Sequence, residues 1–306
     1  MRQRLLAFTV FGLPAALWLA VFFVFPLAIV WLYSFGENVS LIEVETTWTL
    51  DNYARIFQRE IMILMWRSLW MTVVTTVICL VAGYLVALVI ASASKSWKPW
   101  LLLLIMLPFW TNLLIRTYAL LNILGTRGRL NGALAWIWET AHAVLTRVGL
   151  EGLISASFKP VQFLGTSGGV IFGLVYIMLP FSVLPIYASL ERLDKSYLEA
   201  SLDLGAGQIR TFFRILIPMT AGGLITAAIL TFVPTLGQFL TPDLLGRGQV
   251  DMIANVIERQ FKKANDWPFG SALSLFLLYI TFILLALRSF YESRRVDPAQ
   301  RQDAFR

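Results

Sequence analysis

The chain has 306 residues, of which 58% are apolar and only 14% charged, and its mean hydropathy is +0.72. A soluble domain of this length cannot keep so much apolar surface away from water, so the composition predicts a polytopic membrane protein. The formal charge of +7 is explained by cations concentrated on one side of a membrane and requires no nucleic-acid partner.

Six segments have the roughly 20 apolar residues that a membrane-spanning helix requires. The first follows two arginines, as in a signal peptide, but its apolar run is too long for one and lacks a small-residue cleavage site, so we expect a retained helix. The six predicted helices lie at about 7–33, 69–92, 100–121, 168–190, 219–241 and 269–288.

The distribution of charge predicts that both termini are cytoplasmic. In that orientation the cytoplasmic pieces are 1–6, 93–99, 191–218 and 289–306. Together with Arg288 they hold thirteen lysines and arginines against seven acidic residues, whereas the external loops hold eleven of each. The external loops are also much longer in total, so the density of cations is about twice as high inside.

The external loops are expected to contain short helices. TLDNYARIFQ in the first loop is helical in pattern, with Thr49 or Asp51 as its cap. The second loop has an amphipathic segment, 131–147, suited to the outer membrane surface or to the protein. The third has a Pro-Asp-Gly turn signal in 242–248.

Catalytic and metal chemistry are not indicated. The single cysteine, Cys79, lies in an apolar run and is expected to pack in the core. The single histidine, His142, lies in a loop and is expected to be solvated or interfacial. One cysteine and one histidine far apart form neither a metal site nor a nucleophile pair, so we predict no catalytic residue and no metal.

The cytoplasmic segment 191–218 has the most informative pattern. Ser196 and Glu199 form an S-x-x-E capping box, which predicts the start of a helix. Gly205 and Gly207 suit the end of that helix. A second helical stretch then leads to a proline at the entry of the next membrane helix. The predicted shape is a short helix, a tight turn and another helix.

Two interpretations of this segment remain open. Glu199 and Asp203 are four residues apart and share one face, while Leu198, Leu202 and Leu204 give an apolar surface that a partner can cover. Alternatively, this is an ordinary loop helix in which Glu199 serves only as a cap.

The same segment resembles a known family. Glu199-Ala200-Ser201, Gly205 and the run 215–218 match the E-A-A-x3-G-x9-I-x-L-P motif of ABC importer permeases, with Ser for the second Ala and Ile for the Leu. The resemblance implies the six-helix fold of type I importers, with coupling helices that dock into a cytoplasmic ATPase. The residues to which it assigns this coupling are Glu199, Ala200, Ser201, Gly205, Arg214 and Pro218.

Further stretches extend the resemblance over about 49–285. They are similar to the permeases for spermidine and putrescine uptake, and more closely to the first of the two permease subunits. The stretches are 108–119, 173–194, 241–246 and 266–274. The resemblance implies a second homologous permease subunit, a dimer of ABC ATPases, a periplasmic solute-binding protein, and a multi-pass location in the bacterial inner membrane. The wider group also carries opines and related small cationic or zwitterionic solutes.

No G-x-x-x-x-G-K-[ST] phosphate loop occurs in the sequence. ATP is therefore expected to bind to partner subunits, and the chain is expected to be neither an enzyme nor a holder of a cofactor. A secondary transporter working alone is the alternative. It predicts intramembrane acidic or histidine relays and inverted repeats, and neither is evident. An intramembrane enzyme lacks any nucleophile–base or metal constellation.

Polar and aromatic residues in or beside the predicted spans are the candidates for the substrate path. Aromatic faces attract alkylammonium groups. Asp243 either contacts an ammonium group or sets a turn. Arg116 either has a structural role, as a salt bridge or by snorkelling to the outer interface, or is a gate or path residue. The candidates are Trp110, Thr111, Asn112, Arg116, Tyr118, Tyr176, Gln238 and Asp243.

Overall fold

The computed structural model describes residues 12–40, 44–147, 157–194 and 196–295, with the backbone alone at 284 and 287–295. Those residues are helical apart from turns, loops and one two-stranded hairpin. The predicted cytoplasmic piece 1–6, the start of the first predicted helix and residues 296–306 of the tail lie outside the described residues.

The elements follow in chain order. The first half of the chain contains α1 (Leu13–Tyr33), β1 (Glu37–Asn38), β2 (Val44–Glu45), α2 (Asp51–Ile56), α3 (Arg59–Ser92), α4 (Lys98–Trp110), α5 (Leu113–Leu124) and α6 (Arg129–Arg147). The second half contains α7 (Ser167–Glu191), α8 (Ser196–Asp203), α9 (Gln208–Met219), α10 (Ala221–Leu236), α11 (Leu240–Gly246), α12 (Ile253–Arg259) and α13 (Trp267–Arg295).

Three of these helices are each long and apolar enough to cross a membrane, namely α1, α3 and α7. Two further pairs pass the same test only as bent units, α4 with α5–α6 and α9 with α10. Counting each bent pair once gives up to five spans in the described residues, and a shorter apolar stretch, Trp267–Ile283, lies in α13. The architecture is therefore that of an all-α polytopic membrane protein.

The third predicted helix, about 100–121, is not continuous. Lys98–Trp110 and Leu113–Arg147 meet at an angle of 94°. Thr111 and Asn112 between them have extended ψ angles of 148° and 137°. The Asn112 side chain accepts the Leu114 N–H at 2.8 Å and so caps a new helix. Asparagine is more favourable at the N-cap of a helix than in its interior, which explains the break.

The fifth predicted helix, about 219–241, is shorter than expected. α10 begins after a 68° bend and ends at Leu236, with Gly237 as its C-terminal cap. The predicted turn signal then falls within α11, and the chain turns at Arg247 and Gly248, both with positive φ angles. A helix of seven residues thus replaces part of the predicted loop.

The chain divides into two compact units, 64–255 and the combination of 1–63 with 256–306. In the second of these, the Arg55 guanidinium lies 2.8 Å from the Asp266 carboxylate and 4.0 Å from the centre of the Phe269 ring. Asp266 also accepts the Phe269 N–H and so caps α13. The Thr49 hydroxyl accepts the Asp51 N–H at the start of α2, but the N-cap position is occupied by Leu50, which makes no side-chain capping bond, so neither predicted residue is the cap.

The core of the unit 64–255 depends on α7, which packs closely against α3 and α10. Gly83 of α3 faces Ser182, whose hydroxyl donates to the Cys79 carbonyl at 2.9 Å. Gly223 of α10 faces the Pro185 carbonyl, where a Cβ atom would lie 2.7 Å from the oxygen. Small residues at membrane-helix contacts allow this approach of backbones. Cys79 is fully buried, as predicted.

The neighbouring glycines 222 and 223 offer a matched test of this packing. Gly223→Ala places a methyl group against a backbone oxygen that cannot rotate away, so we expect a loss of about 1–3 kcal/mol of stability. Gly222 has no atom within 4 Å of the position that an alanine methyl group would take, so Gly222→Ala should be neutral or stabilise the helix by up to about 1 kcal/mol. Thermal unfolding of the purified chain in detergent measures both. Equal melting temperatures for the two variants would contradict the proposed close contact.

Candidate functional site

The segment from Ser196 to Met219, formed by α8, a turn and α9, is called the hook below. α8 begins at Ser196, as predicted. However, the side chain that accepts at this helix start is that of Asp194, which receives the Ser196 N–H at 3.0 Å. Hydrogen bonds from the backbone N–H of Ser196 and, to a smaller extent, from its side chain hold the pKa of the Asp194 carboxyl below its ordinary value.

The turn of the hook is a Schellman motif. Gly205 has a φ angle of +82°, a conformation that favours glycine. The Gly205 N–H donates to the Leu202 carbonyl at 2.9 Å, and the Ala206 N–H donates to the Ser201 carbonyl at 3.1 Å. Gly207 is extended and occupies the N-cap position before α9. The predicted helix end at Gly205 is therefore confirmed.

Ser201 joins the two helices of the hook. It stands at the position where the resemblance has alanine, and it is buried. Its hydroxyl is 2.9 Å from that of Thr211 on α9, which is also buried. Two buried hydroxyls that satisfy each other thus join the two helices by a polar contact.

The hook is anchored to the helices behind it at a bend, Thr220, between α9 and α10. The Thr220 hydroxyl is 3.0 Å from the Tyr84 hydroxyl of α3, in a buried position. The Tyr84 ring also meets the Phe212 ring edge-on, with centroids 5.6 Å apart. Leu198 and Leu216 of the hook pack on the same core cluster as Tyr84. A movement of the hook therefore acts on α3 and α10.

The opposite face of the hook is exposed. Leu204 is 89% exposed and Ile209 77%, and Phe213 is exposed one turn further along α9. Four other motif positions, Glu199, Ala200, Arg214 and Pro218, are exposed as well. Two of the three predicted apolar residues, Leu202 and Leu204, are exposed, whereas Leu198 turns inward. Ile209 and Phe213 of α9 are exposed as well. The four-residue spacing of Ile209 and Phe213 was a signal for this face.

The first group of path candidates meets at the break between α4 and α5. Trp110 ends α4 and is 71% exposed, and Thr111 and Asn112 are exposed beside it. The Thr111 hydroxyl donates to the Pro108 carbonyl at 2.7 Å. The break thus presents an indole ring next to polar backbone, which a continuous helix would not do.

Arg116 lies one turn after this break. Its guanidinium carbon is 5.9 Å from the centre of the Phe109 ring. Its Nε is buried and has no hydrogen-bond partner among the described residues. The salt bridge, one of the two structural interpretations of Arg116, is likewise not formed within the described part of the chain, whereas snorkelling to the outer interface stays a prediction.

The remaining candidates lie on α5, α7 and α11 and in the connection between α10 and α11. Tyr118 of α5 and Tyr176 of α7 are exposed. Gln238 lies in the connection between α10 and α11, which interrupts the fifth predicted helix. Asp243 was expected to set a turn if it did not contact substrate. It instead lies in the first turn of α11 with its side chain exposed.

The elements that bear these candidates meet at Gly173 of α7. A Cβ atom there would touch Leu245 and Thr241 of α11 and Leu120 of α5. The absence of a side chain at 173 therefore lets α11 pack onto α7 and α5. This packing holds α11, which follows Gln238 and carries Asp243, against the helices of the two tyrosines.

Comparison with known proteins identifies the family. The family described as "Binding-protein-dependent transport system inner membrane component" matches residues 66–296. The chain is 39% identical over 270 residues to the spermidine/putrescine transport system permease protein PotB of Salmonella typhimurium, covering 88% of each sequence. It is 39% identical over 268 residues to PotB of Escherichia coli, covering 88% of this chain and 91% of that one.

A solved structure shows the same fold. It is a bacterial alginate ABC transporter in complex with an alginate pentasaccharide-bound periplasmic protein, and its matching chain is 16% identical with a TM-score of 0.69. The alignment covers 93% of each chain. Family match, relatives and fold agree, and the chain belongs to the binding-protein-dependent transport system inner membrane components, the permease subunits of ABC importers.

Proposed function

We propose that this permease subunit imports polyamines, spermidine or putrescine, by alternating access driven by a separate ATPase. The observation that carries the substrate is the 39% identity to PotB over 88% of the chain. The hook supports the coupling, because its inner side is built into the helix core while its outer side presents exposed apolar residues to a partner.

The proposed assembly contains a second homologous permease subunit, two ABC ATPases and a periplasmic solute-binding protein. The ATPases bind the ATP, and this chain holds no cofactor. Closure of the ATPases on ATP draws the hooks of the two permeases together. Because the hook is fixed to α3 and α10 through Tyr84 and Thr220, this movement opens the path to the outside.

The proposed topology has six spans, with both termini in the cytoplasm and the hook on the cytoplasmic side. Two segments that are predicted to be cytoplasmic, 93–99 and 191–218, lie close together, which supports this topology. Lys98, at the start of α4, is 2.6 Å from Glu191, at the end of α7. This proximity supports a topology in which loop 93–97 and the hook lie on the same side of the membrane, with two crossings between them.

Recognition of the cation is proposed to use the exposed aromatic and polar side chains near the break in α4–α5, with Asp243. An ammonium group over an indole face gains about 0.5–2 kcal/mol. Trp110 has the exposed indole for such a contact. Arg116 does not attract a polycation, so its proposed role is to hold an acidic group of another subunit.

Glu199→Arg tests the docking surface. Glu199 is exposed, so the change should leave folding intact while reversing a charge that faces the ATPase. We expect loss of ATPase copurification and of ATP-driven uptake. Glu139→Arg on α6 makes the same change at another exposed helical position and should keep both. Retained copurification and uptake in Glu199→Arg would refute the docking role.

A second pair of glycines tests the shape of the hook. Gly205→Ala requires a non-glycine residue at φ +82°, which costs on the order of 1 kcal/mol. Gly207→Ala introduces no such strain, because φ is −68° at this position and no atom lies within 4 Å of the added methyl group. We expect a several-fold lower uptake rate, with more ATP hydrolysed per solute, only for Gly205→Ala. The proposed turn fails if both variants behave alike in reconstituted vesicles.

Substrate identity is tested by uptake of labelled spermidine and putrescine into cells that lack other polyamine importers. Trp110→Ala should raise the half-saturating concentration by about 2- to 30-fold, and Trp110→Phe, which keeps a ring face, by less. Absence of uptake of both polyamines, together with uptake of a labelled opine or amino acid, would exclude the polyamine proposal and leave the coupling role intact.

A further inference from the structure

A cavity of about 470 Å³ lies behind the hook and is not used by the proposed transport mechanism. The ends of α3 and α7, the start of α4 and the inner side of the hook enclose it. Leucines from α3, α7, α8 and α9 form its wall, and Leu198 of the hook is one of them. Three charged side chains, Lys95, Lys98 and Glu191, line it as well.

The cavity carries one uncompensated positive charge. Lys98 Nζ lies 2.6 and 2.8 Å from the two oxygens of Glu191, so these two charges balance. Lys95 is exposed and has no ion-pair or hydrogen-bond partner within the part of the chain that the structure describes. A ligand with one negative charge and an apolar portion therefore complements the lining.

The flanking residues place the cavity at the level of lipid headgroups. Trp97 and Trp100, on either side of Lys98, are both more than half exposed. Tryptophan concentrates at membrane–water interfaces, where its ring is apolar and its N–H reaches water. α3 and α4, which the loop connects, are apolar up to this point, so on the proposed topology Lys95 follows directly after the apolar part of a membrane helix.

We propose that this cavity binds the headgroup of an anionic phospholipid, with its phosphate on Lys95 and its first acyl carbons against the leucine wall. Basic pockets between membrane helices on the cytoplasmic side suit such headgroups. Free phosphate complements only the lysine and leaves the aliphatic wall uncovered. The inference rests on the proposed function in one respect, namely that the hook lies on the cytoplasmic side of the membrane. Since Leu198 belongs to both the wall and the hook, a bound lipid touches the coupling element directly.

Native mass spectrometry of the purified full chain tests this, with palmitoyl-oleoyl-phosphatidylglycerol as the anionic probe and the matching phosphatidylcholine as the neutral one. We expect tighter retention of phosphatidylglycerol. Lys95→Gln should weaken it about fivefold, the size expected for one lysine at an anionic membrane surface. Glu191→Gln frees Lys98 and should strengthen it. Lys263→Gln, a matched change of another exposed lysine, should have no effect.

The opposite signs for Lys95→Gln and Glu191→Gln distinguish a headgroup site from a general loss of structure. Equal retention of the two lipids, or equal losses in Lys95→Gln and Lys263→Gln, would overturn the inference. Displacement of phosphatidylglycerol by millimolar inorganic phosphate would assign the site to a free anion instead. The assay contains no polyamine, ATP or partner. Unchanged lipid binding without polyamine uptake therefore rejects only the transport proposal, and the reverse result rejects only the lipid site.

Discussion

The contact of α10 with the backbone of α7 is the constraint on which the permease unit depends. Lipid chains are as apolar as leucine, so membrane helices gain little by burying leucine against one another and associate through close packing and interhelical hydrogen bonds. At Gly223 the approach is limited by the Pro185 carbonyl, and at Gly83 by Ser182. The positions of α3 and α10 are therefore both set by their contacts with α7.

The position of the hook follows from this packing. Tyr84 lies one residue after Gly83, and Thr220 lies three residues before Gly223. The hydrogen bond between their hydroxyls thus forms between two helices whose spacing is already set by α7. If the hook were attached to loosely packed helices, rearrangement of their side chains would absorb its movement. In the proposed mechanism, a hook attached to three close-packed helices transmits its movement to them.

Much of this structure was predictable from local sequence. The start of α8, its end at Gly205 and the interruption at Gln238 follow from capping and turn preferences within a few residues. The break at 111–112 was missed because a long apolar run conceals a single capping asparagine. The bond of Tyr84 to Thr220 joins residues 136 apart, and the inward turn of Leu198 depends on the core it meets, so neither has a periodic signature. The path candidates are placed by the fold, but their shared role remains a prediction.

The paired hydroxyls of Ser201 and Thr211 have an evolutionary consequence. A chain with alanine at 201, as in the family motif, would leave the buried Thr211 hydroxyl without this partner, and a chain with an apolar residue at 211 would do the same to Ser201. Either single exchange is penalised, while the double exchange need not be. The two positions are therefore expected to change together among descendants of this sequence, so a substitution at Ser201, within the family motif, is linked to one at Thr211, which is not a defined position of the motif.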